Sequence, residues 1–353
     1  MVSSCQKIAF MNIYKILKLA VSSKTPRFVK FAGLFALHVT GRRYIGIFFD
    51  PVLACNIRCR MCYFSNEEKR REMNGVITGS RLDAVERVLF PRALKLQIGC
   101  GAEPTLYPGL EDIVKRARKR GIPNITLVTN GQLLVNKIDL RRLVESGLNE
   151  VILSMHGTTK ETYEYLMKGA RFDNLLQLTE QLTKLKAEFP NFRIRINFTV
   201  NSMNQYDLTD DNFWSIWPGD VRPDVVQLRP VQDMGSCEWD DYNSEPLKSN
   251  YHRTIGNVAA YCMAHDVICI APTVDQLEQV ATDQDETTAL IEDVTYYYVS
   301  PTAAYRDDFD IEAETFVQYH RRHHTARRLF KAIFRPNAGR SRNASKKLNY
   351  SIG

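Results

Sequence analysis

The chain has 353 residues, with 47 Lys and Arg against 40 Asp and Glu for a net charge of +7, and it is 44% apolar and 25% charged. That length holds one large domain with extensions, and a composition without repeats or low-complexity tracts excludes a disordered or fibrous protein. No run approaches the ~20 apolar residues needed to cross a bilayer. The longest, FAGLFALHVTG at residues 31–41, argues against an integral membrane protein. The N-terminus lacks a signal-peptide core with a small-residue cleavage site. Eight cysteines are spread along the chain with one tight cluster, which fits a reducing compartment, so the expected location is cytoplasmic.

Residues 1–43 read as a basic amphipathic lead, with Ile8, Phe10, Ile13, Leu17 and Val21 interleaved with Lys7, Lys15 and Lys18. Such a helix either caps the fold with its charged face in water or makes a peripheral membrane or partner contact. From Tyr44 to about Val231, short β-rich runs alternate with helical patterns. The strands read as Tyr44–Phe49, Leu94–Ile98, Ile125–Val128, Val151–Met155, Arg193–Val200 and Val225–Pro230. The helices read as Ser80–Leu89, Gly109–Arg120, Asp139–Ser146, Lys160–Glu188 and Asp210–Ile216. Alternation of this kind gives an α/β fold with a parallel sheet covered by helices, and six units make a partial, TIM-like (β/α)6 barrel over residues 44–235.

Directly after the first strand, Cys55, Cys59 and Cys62 form C-x3-C-x2-C. An iron–sulfur cube normally takes four thiolates. Three on one tight loop leave the fourth iron without a protein ligand, and an open position is what a catalytic metal site keeps. Structural zinc would call for a second cysteine pair at knuckle spacing, which the sequence does not supply. Further motifs fall at later strand ends: GCGAEP at residues 99–104, TNG at 129–131, Ser154, Asn197, and LRPV at 228–231. In parallel α/β folds ligand groups gather at those C-terminal ends.

These motifs, in this order, resemble the radical S-adenosylmethionine (radical SAM) enzymes, whose signature is C-x3-C-x-aromatic-C after the first core strand. The resemblance spans somewhat over half the chain. It implies a [4Fe–4S] cluster held by Cys55, Cys59 and Cys62, with SAM chelated to the open iron. It also implies SAM contacts from Gly101, Ala102 and Glu103 to the amino group, from Ser154 and Asn197 to ribose or carboxylate, and from Asn130 and Arg229 at neighbouring strand ends. The implied reaction is reductive cleavage of SAM to a 5′-deoxyadenosyl radical that attacks a substrate C–H bond. The implied substrate is a peptide or a small envelope or cofactor precursor, and the implied electron donor is of the flavodoxin or ferredoxin type. Two positions depart from the pattern: Met61 stands where an aromatic precedes the third cysteine, and Ala102 replaces the second glycine of GGEP.

Beyond residue 235 the character changes. A helix is expected at Ser249–His265 and a strand at Val267–Ala271. Residues 236–320 are expected to form an α/β extension over the barrel, similar to a SPASM or twitch extension but too poor in cysteine for a further cluster. The stretch 275–314 is acidic with Arg306 its only Lys or Arg, whereas 321–353 is a basic tail, and His320, His323 and His324 at its start read as the basic face of an Arg-rich helix. No nucleic-acid module or aromatic stacking platform accompanies the tail, so nucleic acid is not the expected partner. The alternatives are an RNA-modifying member of the same family and a catalytically inactive iron–sulfur or metal-binding protein.

Overall fold

The strand running through residues 193–200, RIRINFTV, shows how the sequence builds this fold. Ile194, Ile196, Phe198 and Val200 are fully buried, while Arg193, Arg195, Asn197 and Thr199 alternate with them on the opposite face. Side chains alternate across a strand, so one face packs under helices and the other lines an interior that is polar. The computed structural model describes residues 25–209, 211–233, 235–277, 286–304, 306–335 and 351–352. The lead segment with Ile8 to Val21 and most of the basic tail lie outside the described residues.

Strands Ile45–Phe49 (β1), Ala93–Ile98 (β2), Asn124–Thr129 (β3), Glu150–Ser154 (β4), Arg193–Val200 (β5) and Val225–Pro230 (β6) lie where the sequence pattern put them. Two more parallel strands extend the sheet: Ile268–Ala271 (β7) beside β6, and Tyr296–Val299 (β8) beside β1. The first was expected; the second, YYYV, was not. Its tyrosines gave no alternation to read, since both faces of β8 carry aromatic side chains. The nine-stranded order is β8-β1-β2-β3-β4-β5-β6-β7, closed off by an antiparallel Ser351–Ile352 (β9) on β7. Among the described residues no ladder joins β7 to β8, so the barrel is open.

Helices cover the outer face: Arg27–Val39 (α1), Gly79–Val88 (α2), Leu110–Lys119 (α3), Leu140–Glu145 (α4), Lys160–Leu166 (α5), Phe172–Glu188 (α6), Asn212–Ser215 (α7), Ile255–Ala264 (α8), Glu286–Thr295 (α9), Phe316–Arg322 (α10) and Thr325–Phe334 (α11). In α3, Leu110, Ile113, Val114 and Ala117 are buried at helical spacing, each large side chain contributing about 1.5–3 kcal/mol. Thr78, Asp139 and Thr159 accept backbone N–H groups as the N-caps of α2, α4 and α5. In α1, Phe31 is buried against Val294, Leu329 and Ala332, so that helix packs on its own chain.

Two expectations are corrected. The helix read over Lys160–Glu188 is two helices, because Met167 and Lys168 leave the helical path to pair antiparallel with Cys59 and Arg58. Arg60 N–H reinforces that pairing with a 2.9 Å bond to Leu166 O. The helix read over Ser249–His265 is likewise shortened to α8, preceded by a short helix at Glu245–Ser249 and a 3-10 turn at Tyr251–Arg253. Among the described residues, no helix is long and apolar enough to cross a membrane.

Candidate active site at the open barrel mouth

β1 is followed directly by Asp50, which is 1% exposed. Its carboxylate accepts the backbone N–H groups of Cys100 at 2.7 Å and Gly101 at 3.0 Å, and the Tyr298 hydroxyl at 3.0 Å. The GCGAEP loop is thus tied to β1 and to the unforeseen β8 through one buried acid. Burial pushes the Asp50 carboxyl above its ordinary value, while the bonds it accepts work against that shift. Tyr63, directly after the third cysteine, adds a hydrogen bond from its hydroxyl to Gly101 O. A Cβ at position 101 would stand 2.6 Å from that hydroxyl, so the glycine is needed for the loop to close on Tyr63. We expect Asp50→Asn, which turns one acceptor oxygen into a donor facing another N–H or O–H, to lower stability by about 2 kcal/mol in urea unfolding. Tyr298→Phe should cost about half as much, because it removes a donor without leaving a donor pair opposed.

Glu103, 2% exposed, is the second buried acid. Its Oε1 accepts from Thr105 N–H at 3.2 Å, from the Thr105 hydroxyl, and from the Thr129 hydroxyl at 2.7 Å; its Oε2 accepts from Asn130 N–H at 2.8 Å. Its own N–H bonds Ala54 O at 2.8 Å, next to Cys55. Glu103 therefore joins the loops that follow β1, β2 and β3. Asn130, read from the sequence as a cofactor contact, also reaches the cysteine loop: its Nδ2 donates to Asn56 Oδ1 at 2.9 Å and to Cys55 Sγ at 3.8 Å. Gly131, at φ +78°, follows in a left-handed turn, where a Cβ would meet Leu178 at 2.5 Å.

Cys55, Cys59 and Cys62 line a cavity of about 550 Å³ together with Gly101, Ala102, Glu103, Asn130, Ser154 and Arg229. Every expected site residue except Asn197 is on its wall. Asn197 is the cross-strand neighbour of Ser154, and its Oδ1 is buried without a hydrogen-bond partner. An orphaned acceptor beside the cavity is a place that a ligand hydroxyl would satisfy. Met61, where the motif would carry an aromatic, is buried and takes a 3.0 Å contact from Asn201 Nδ2 to its sulfur.

Burial pushes the Cys55 thiol up to about 12, and Cys59 and Cys62 also upward. Thiolates in such a place need a positively charged partner. Among the described residues, no three His, Cys, Asp or Glu side chains are grouped to hold a single metal ion. Three thiols from one loop on the wall of one cavity are a donor set that fits a [4Fe–4S] cluster with one iron left open.

His156, which sequence reading passed over, also lines the cavity. Its Nδ1 accepts Thr199 N–H at 3.1 Å, which leaves the proton of the neutral ring on Nε2. Burial lowers it to about 4. His320, expected on a basic face, is 3% exposed and bonded to the Tyr297 hydroxyl and to Thr325 Oγ1, and burial lowers it to about 3. Both are neutral in the fold at pH 7. Their stabilising contribution is complete above the unfolded value of 6.5 and is lost as pH falls toward 4, because the unfolded chain takes up the protons first. Between pH 7 and 5 the pair should cost on the order of 3 kcal/mol, and in His320→Gln the same pH drop should cost about half of that in urea unfolding.

Residues 51–216 match the sequence model of the Radical SAM superfamily. GTP 3',8-cyclase of Chlorobaculum tepidum is 30% identical over 145 residues, 41% of this chain and 41% of that one. A probable GTP 3',8-cyclase of Metallosphaera sedula is 31% identical over 178 residues, 50% of this chain and 53% of that one. The chain thus spans about half the length of these curated relatives. In fold, the solved structure of native anSMEcpe with bound AdoMet superposes with a TM-score of 0.55 at 15% identity, covering 83% of this chain and 84% of that one. The family match begins one residue past Asp50 and runs through the cysteine loop, the Glu103 network and the end of β5, which supply most of the cavity wall just described; the part from β6, with Gln227 and Arg229, lies beyond it. By this match residues 51–216 carry a radical SAM domain, and the cofactors of that superfamily are a [4Fe–4S] cluster and S-adenosylmethionine.

Proposed function

We propose that this protein is a radical SAM enzyme whose cluster is held by Cys55, Cys59 and Cys62 and whose SAM lies along the rim formed by Gly101, Ala102, Ser154, Asn197 and Arg229. The observation that carries the reading is the meeting of three thiols, the Asp50-anchored glycine loop and Ser154 around one cavity, with the orphaned Asn197 oxygen on the strand beside Ser154. Bound together and reduced, the two cofactors supply one-electron cleavage of a sulfonium carbon–sulfur bond and abstraction of a substrate hydrogen atom.

The chain's own part is placement. Met167 and Lys168 clamp the backbone of Cys59 and Arg58, Asn130 holds Cys55 and Asn56, and Tyr63 fixes the glycine loop against the third cysteine. A misplacement of ~1 Å at a reacting centre can cost on the order of a hundredfold in rate, which gives these second contacts their importance. Glu103, with its oxygens engaged by four donors, acts in this reading by fixing the loops around the SAM amino group.

The substrate is a peptide or a small precursor, and the relatives named for action on GTP support the small precursor. The electron donor would be a small flavin or iron–sulfur protein, with the protein acting in the cytoplasm. The test is anaerobic reconstitution with iron and sulfide, then dithionite and SAM, with 5′-deoxyadenosine as the readout. Its formation upholds the reading. A chain that takes up zinc without sulfide overturns it.

A further inference from the structure

The two ends of the chain share a charge pattern that the middle lacks. Residues 1–49 and 315–353 hold 18 Lys and Arg and no Asp or Glu, so all 40 acids fall between them. The fold brings these two stretches together, because α1 from the first packs against α11 from the second. Phe31 of α1 is buried with Leu329 and Ala332 of α11, and Arg27 donates to the backbone oxygen of Arg335.

The outward sides of both helices are apolar, where water calls for polar side chains. On α1, Phe31 faces inward, whereas Phe28, Val29, Ala32, Gly33, Ala36 and Val39 are exposed, an arc at helical spacing without a charge. Phe28 is 58% exposed. On α11, Phe330 and Phe334 are 49% and 73% exposed and one turn apart, with ring centroids at 5.2 Å. Phe330 also meets Phe35 of α1, centroids 5.6 Å apart, which joins the two outer sides into one stripe. Arg327 and Lys331 stand beside it on the exposed side of α11. Arg328, on the other flank, pairs with Asp293 at 2.8 Å.

Single exposed apolar residues are ordinary, but a contiguous patch rimmed by one sign of charge marks a docking surface. The charge decides what docks. A second copy of this face would bring cations against cations, and the lead with Lys7, Lys15 and Lys18 would add more of the same sign. Nucleic acid would use the cations and the rings but gains nothing from Val29, Val39 and the alanines. Aromatic and aliphatic side chains flanked by Lys and Arg suit the boundary between acyl chains and anionic headgroups.

We propose that the joined outer sides of α1 and α11 dock on an anionic phospholipid surface. Phe28, Phe330 and Phe334 enter the boundary below the headgroups, and Arg327 and Lys331 meet lipid phosphates. Docking of this kind needs no spanning helix. None of these residues lines the cysteine cavity, so the proposal does not depend on the chemistry there.

The test co-sediments the full-length protein with vesicles of phosphatidylcholine, and with vesicles also carrying about 30% phosphatidylserine. Wild type should bind the anionic vesicles at least about tenfold more tightly. Phe330→Ser/Phe334→Ser and Arg327→Gln/Lys331→Gln should each weaken that binding at least about tenfold. The replaced side chains are exposed, so melting temperatures should stay close to wild type. Phe28→Ser, on the other helix, should weaken binding as well and keeps the test readable if the paired change disturbs α11. No vesicle binding overturns the proposal, and so does equal binding to both vesicles, since the cations would then play no part. Anionic binding that all the phenylalanine variants leave unchanged overturns it too, by assigning the effect to charge alone. Two other occupants are read on the same samples. Polyuridine RNA bound by wild type and lost in the phenylalanine variants, without vesicle binding, assigns the face to nucleic acid. A dimer that those variants convert to monomer in sedimentation velocity, without vesicle binding, assigns it to a second copy. Either result overturns the lipid surface.

Discussion

Cys59→Ala, reconstituted anaerobically, should hold iron and sulfide only at background and form 5′-deoxyadenosine more than about a hundredfold more slowly than wild type. Changing a group that merely supports a metal ligand typically costs 10–100-fold in affinity, and removing a ligand should exceed that. Cys59 is the middle of the three thiols, and its backbone is fixed by pairing with Met167 rather than by its side chain. The variant should therefore keep its fold, read as an unchanged far-ultraviolet circular dichroism spectrum. Cys100→Ala is the informative companion. Cys100 lines the same cavity, and its Sγ accepts from Gln97 Nε2 at 3.6 Å. Because its backbone N–H, not its thiol, bonds Asp50, Cys100→Ala should leave iron content at the wild-type level. Iron retained in Cys59→Ala, or lost in Cys100→Ala, would give the cluster a different ligand set.

What could be read from the sequence follows from how local the signal is. The six core strands show themselves because an apolar run or alternation between turn residues needs no partner to be recognised, and the cysteine triad because its ligands share one loop. The break after Leu166 was invisible: Tyr163, Leu166 and Met167 continue a helical apolar pattern, and only the pairing of Met167 with Cys59, far away in sequence, pulls the chain out of it. β8 was missed for a related reason, since its strand identity depends on lying beside β1. With β8 unseen, the role of Tyr298 was out of reach, and with it that of Asp50. An acid at the end of an apolar strand, FFDP, was the available clue, because a carboxylate there must find donors or face water. His156, two residues past the end of β4, and the polar residues alternating along β5 were in plain view. Their meaning appears only once the open barrel turns those faces toward one another.

Glu103 is where the sequence motif and the structure assign different jobs, and a pair of variants separates them. Read as a SAM contact alone, its loss would weaken SAM binding and leave the apo fold untouched. The geometry gives another expectation. Glu103→Ala strands the Thr129 hydroxyl, the Thr105 groups and Asn130 N–H in a buried site, and should cost about 3–5 kcal/mol in urea unfolding of the cluster-free chain. Glu103→Gln keeps an acceptor for the threonine donors but turns an amide NH2 toward Asn130 N–H, so about 1–3 kcal/mol is expected. Because Asn130 in turn holds Cys55 and Asn56, both variants should also reduce cluster retention, with Ala the worse of the two. Unchanged stability in both, together with a selective loss of SAM affinity, would return Glu103 to direct contact with the cofactor. A graded loss of stability and iron together makes it the tie that holds the cysteine loop to the barrel.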